Sequence, residues 1–117
     1  MAGAAQEFER GAKLLEKMTA QADSPGEYSL ELARLQGDWA QAELTAGKPE
    51  AALEHLRAAH ERRPELFEIA LRLSHLQQDR GDRKGAIETL QSFLAVAHVP
   101  AEIEQAKAQL AKLRPGG

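Results

Sequence analysis

A chain of 117 residues with formal net charge −3 and 28% charged residues has the size and balance of one ordinary domain. It contains no cysteine, which excludes disulfides, thiolate zinc sites and cysteine nucleophiles. Aromatic residues are only 4% of the chain, so its core must be aliphatic and rich in alanine. A cluster of Arg57, Arg62, Arg63, Arg72, Arg80, Arg83 and Lys84 is interleaved with Glu54, Glu61, Glu65, Glu68, Asp79 and Asp82. A mixed, solvated face accounts for it better than nucleic-acid binding, which needs a basic face.

The opening MAGAAQEFERGAKLLEK lacks the basic segment and apolar core of a secretory signal. No apolar run approaches membrane-spanning length. The expected location is cytoplasmic, and the reliance on Ala, Leu, Arg, Gly and Glu is consistent with a GC-rich bacterial genome.

Helical periodicity runs through almost every segment. The first helix is expected over 4–22, where Phe8, Ala12, Leu15, Met18 and Ala22 form one apolar stripe. Ser24-Pro25-Gly26-Glu27 has the form of a capping box, predicting a second helix from Pro25 to Ala46 that stops at Gly47. Pro49 opens a third helix ending near Arg62. Pro64 lies in the first turn of a fourth, which ends before Gly81. Asp82 caps a fifth over 83–97, and Pro100 opens a sixth that ends before Pro115. Links this short set neighbouring helices antiparallel.

Two glycine turns, Gly47 and Gly81, stand 34 residues apart (81 − 47). The same offset relates Ala52 to Ala86, Leu53 to Ile87, Leu56 to Leu90, Leu35 to Ile69, Trp39 to Leu73 and Ala42 to Leu76. It continues from Ile69 to Ile103, Ser74 to Ala108 and Leu76 to Leu110. A helical hairpin recurring at 34 residues resembles the tetratricopeptide repeat family. The small residue early in the second helix is Ala52, then Ala86; the large residue one turn later is Leu56, then Leu90. Departures are also present. The family's first-helix tryptophan place holds Gln36 and Ala70, its tyrosine place Glu43 and Gln77, and Phe93 stands where a small residue is usual.

The resemblance implies an all-α fold, a right-handed stack of antiparallel helical hairpins with about six helices. It would form a single domain over 1–117, with a capping helix at 4–22, an extended first repeat at 25–64 and a second repeat at 65–100. A solvating helix follows at 101–114 and a tail at 115–117. In the last helix Ile103, Leu110 and Leu113 would face inward, while Glu102, Lys107, Lys112 and Arg114 stay wet.

No enzyme signature accompanies this scaffold. His55 and His60 lie five residues apart and share no helix face, so scattered surface or groove histidines are expected, with His75 and His98, rather than a metal site. The serines lack a nucleophile-elbow context, and no glycine loop cradles phosphate. Arg80-Gly81-Asp82 spells an integrin tripeptide, but its glycine serves the turn and its aspartate the cap. The terminal diglycine is similar to that of ubiquitin-like tails, which follow a different fold. Neither a cofactor nor a metal is expected.

What remains is surface. The resemblance implies a concave groove lined by the first helix of each repeat, where family members hold partner peptides. In this register the groove residues are Arg34, Gly37, Asp38 and Gln41, then Leu71, Arg72, His75, Gln78 and Asp79. The places where chaperone-tail binders carry asparagine hold Gln41 and His75, which favours an extended peptide or amphipathic helix over a carboxylate tail. The expected function is a non-catalytic adaptor for another protein, without nucleic acid or membrane. The alternative is self-association within a larger assembly through Phe8, Leu14, Leu15 and Met18, with Gly11-Ala12 permitting close helix approach.

Overall fold

A computed structural model describes residues 2–21 and 28–114. Six α-helices follow one another: α1 (Ala2–Gln21), α2 (Ser29–Thr45), α3 (Pro49–Arg62), α4 (Phe67–Asp79), α5 (Arg83–Val96) and α6 (Pro100–Leu113). There is no strand among the described residues. The chain divides into two compact units, Met1–Arg63 and Pro64–Gly117.

Two helix starts differ from the sequence expectation. α2 begins at Ser29 rather than Pro25, after Tyr28 in a non-helical conformation; the capping box of Ser24 and Glu27 lies outside the described residues. α4 begins at Phe67, so Pro64 does not open it. A residue before proline is driven out of the helical region. Arg63 accordingly takes φ −139° and ends α3, and Pro64–Glu65 form a turn ahead of α4.

Within the first unit α2 pairs with α3, and α1 packs on α2. Small residues bring the helices together. Ala33 and Ala40 of α2, Ala52 and Ala59 of α3 and Ala12 of α1 are all buried. A Cβ placed on Gly11 would come within 3.1 Å of the Leu35 side chain, so the Gly11-Ala12 step serves contact with α2.

In the second unit α4 pairs with α5, and α5 with α6. Its core joins Ala70, Ala86, Leu90, Phe93, Ala106, Leu110 and Leu113, with Phe67 packed against it. Phe93 is fully buried and its ring centroid lies 5.4 Å from that of Phe67. The alanines of this cluster leave room for the ring that replaces a small residue. On α6, Leu110 and Leu113 are buried and Ile103 is half-buried, while Lys107, Lys112 and Arg114 are exposed. Glu102, expected to be wet, is half-buried.

The two hairpin turns are the same turn. Gly47 and Gly81 have φ +77° and +80°, a region that costs a side chain energy and glycine nothing. Gly47 N donates to the Leu44 carbonyl and Lys48 N to that of Glu43; 34 residues on, Gly81 N donates to Gln78 and Asp82 N to Gln77. This is the paired hydrogen bonding that closes a helix over a left-handed residue. Asp82 then caps α5, its Oδ1 accepting from Gly85 N at 2.9 Å. Lys48 offers no side-chain cap, but Pro49 at the start of α3 has no N–H to satisfy.

Two substitutions test this turn. Gly81→Ala should cost about 1–2 kcal/mol through its left-handed conformation, and Asp82→Ala about 1 kcal/mol through loss of the cap. Urea denaturation measures both, and a Gly81→Ala protein as stable as the parent would contradict the turn assignment.

Candidate functional site

On α2, Arg34, Asp38 and Gln41 are exposed and share one face, spaced by four and three residues. Gly37, expected among them, is buried against the core instead. On α4, Leu71, His75 and Gln78 share a face in the same spacing. His75 is exposed, while Leu71 and Gln78 are half-buried. The Gln78 Nε2 donor is buried and has no hydrogen-bond partner. Arg72 is half-buried beside this stripe and donates to Glu68 Oε1 at 3.3 Å. Each helix thus carries its own outward stripe.

The first-helix set divides differently. Phe8 is half-buried and stacks on Trp39, ring centroids 6.2 Å apart. Leu15 and Met18 are half-buried as well. Leu14 alone of the four points outward, 59% exposed.

The histidines are not all surface residues. His55 is half-buried and stacked on Trp39 at 3.8 Å between centroids, with its Nδ1 2.5 Å from Glu43 Oε1. This carboxylate–imidazole pair has a repeat equivalent. Thirty-four residues on, Gln77 and Thr89 stand at the same places, and Thr89 Oγ1 donates to Gln77 Oε1 at 2.7 Å in the core. In both repeats the position ties the two helices of the hairpin together. The sequence reading missed this tie, although the 34-residue register aligns polar residues at both of its ends. Among the described residues no three His, Asp or Glu side chains gather in a way that could hold a metal.

His60 is buried on α3, and neither ring nitrogen has a hydrogen-bond partner. Burial pushes its pKa below the ordinary histidine value, and the neighbouring Glu61 carboxylate offsets only part of that.

The model of the tetratricopeptide repeat matches residues 43–110, more than half of the chain, and runs through the boundary between the two units. The chain belongs to the tetratricopeptide repeat family, whose members serve protein–protein interaction and are typically non-catalytic. No match was found among curated proteins. No described helix is long and apolar enough to cross a membrane.

The buried His60 gives a pH dependence with a defined sign. Its folded pKa is depressed, so between that value and about 6.5 the unfolded chain binds the extra proton. The contribution of His60 should be constant above about pH 6.5 and destabilising as pH falls below it. His60→Leu should therefore lose less stability than the parent between pH 7.5 and pH 5.5, about one unit to either side of that value. Denaturation midpoints at the two pH values measure this, and equal losses would contradict it.

Proposed function

We propose that the chain is a non-catalytic adaptor that holds a segment of a partner protein on the first helices of its repeats, in the cytoplasm. The observation that supports this most is the outward stripe of α4. Leu71 offers an apolar anchor there, His75 an exposed ring, and Gln78 a half-buried polar side chain. A polypeptide segment answers such a surface, with an apolar side chain for Leu71 and polar groups beside His75. Arg34, Asp38 and Gln41 add a charged and polar stripe on α2, and Arg72 borders the α4 stripe. With Gln41 and His75 at the asparagine places, an extended peptide or a helix fits better than an acidic carboxylate tail.

A second reading is self-association through α1. It is favoured by one observation, the 59% exposed Leu14; Phe8, Leu15 and Met18 would flank that contact.

The two readings separate in one pair of experiments. Alanine at Leu71, Arg72 and His75 should weaken capture of a co-purifying partner at least tenfold while helicity stays unchanged, and undiminished capture would sink the adaptor reading. Light scattering over a dilution series tests the second: a dimer that Leu14→Glu dissolves supports it, and a monomer at every concentration rejects it.

A further inference from the structure

The turn that leads into α5 differs from its twin in charge. Pro49 and Glu50 open α3. Thirty-four residues on, Arg83 and Lys84 open α5, which has no acidic residue in its first turn. The two turns share a left-handed glycine and the same pair of hydrogen bonds, so the scaffold does not require the exchange. It is unfavourable in the free chain, because the helix macrodipole already places positive charge at that end.

No neighbouring carboxylate offsets the two cations. Asp82 is held as the cap, its Oδ1 accepting from Gly85 N at 2.9 Å. Glu88 stands four residues beyond Lys84. Arg83 and Lys84 are exposed and have no ion-pair partner among the described residues, these two carboxylates included.

Arg83 also lines a cavity of about 300 Å³ with Gln78, Gly81 and Leu113, all within the second unit. That volume is at the small end for ligand pockets, room for one side chain. Leu113 gives the wall an apolar part and Gly81 a stretch of bare backbone. Gln78 ends the outward stripe of Leu71, His75 and Gln78 on α4, so the cavity continues that stripe. A cationic side chain would meet like charge here, and a neutral one would leave the attraction unused. An acidic side chain answers both the charge and the apolar wall.

We propose that this cavity seats a Glu or Asp side chain of a partner segment lying on α4. The carboxylate accepts from the Arg83 guanidinium, with Lys84 adding to the attraction, and the apolar stem rests against Leu113. Recognition comes from these side chains and not from the helix end, where the cap already holds the Gly85 N–H. The inference rests on the adaptor reading for the segment and adds to it the charge that the segment carries.

The test uses N-acetylglutamate N-methylamide as the probe, with its glutamine analogue and inorganic phosphate as comparisons. Nitrogen–proton spectra of the full-length labelled protein follow the Arg83 Nε–H and the backbone amides of Gly81 and Arg83. At low salt the glutamate probe should give a saturable shift in the millimolar range. Salt at about 1 M, where charges are screened beyond about 3 Å, should suppress it. The glutamine analogue should bind about fivefold more weakly, as the loss of an exposed ion pair implies. Arg83→Gln should weaken glutamate binding to the same degree and unfold at a urea concentration no lower than the parent.

The proposal is overturned by signals that the glutamate probe does not move, by an equal response to the glutamine analogue, or by tighter binding of phosphate. A lower urea midpoint for Arg83→Gln would overturn it as well, since Arg83 would then serve the fold. No partner protein enters these titrations, so they fail separately from the adaptor reading. A silent probe beside impaired capture by the alanine variants of Leu71, Arg72 and His75 strikes this inference alone. A bound probe beside undiminished capture strikes the adaptor reading, and with it the segment proposed here.

Discussion

The closeness with which paired helices approach is the constraint on which everything else in this chain depends. Aromatic residues are scarce, so few large side chains are available to bridge well-separated helices. Alanines supply the alternative: Ala33, Ala40, Ala52, Ala59, Ala70, Ala86 and Ala106 are at most 1% exposed. Each missing side chain lets a neighbouring backbone come nearer, and leucines one turn away then interdigitate to fill the remaining space. Close approach also brings polar side chains within reach of one another. The pairs Glu43–His55 and Gln77–Thr89 bind helix to helix at equivalent places of the two repeats. The Gln77–Thr89 pair is buried and costly when broken, so it fixes register as well as distance.

Much of this was legible in the sequence because it is periodic. Gly47 and Gly81 announced the turns, and their positive φ is the reason that glycine recurs there. Asp82 was readable as a cap, since aspartate next to a glycine turn and before an amphipathic run has few other uses. Pro64 misled, because proline both favours the first turn of a helix and forces its predecessor out of one; here the second effect governs. The inward face of Gly37 was also missed, since without a side chain it adds nothing to an amphipathic pattern.

The candidate sites were less legible, for a physical reason. Exposed residues such as Arg34, Asp38 and Gln41 follow helical spacing whatever they bind, so their pattern marks a face and not a ligand. Gln36 reads as a mere departure from the family pattern, yet it is buried on α2. Similarly, His60 reads as a surface histidine, yet it is buried on α3.

The scaffold assigns different work to the two kinds of helix. Second helices α3 and α5 supply alanine and leucine to the hairpin contact, while first helices α2 and α4 each keep an outward stripe. The most direct test of this account compares two alanines on α5, one at the hairpin contact and one in water. Ala86 is fully buried and Ala95 exposed. In urea denaturation Ala86→Leu should cost about 1–3 kcal/mol or more through overpacking, and Ala95→Leu no more than about 0.5 kcal/mol. An Ala86→Leu protein as stable as the parent would contradict the claim that close helix approach holds the repeat together.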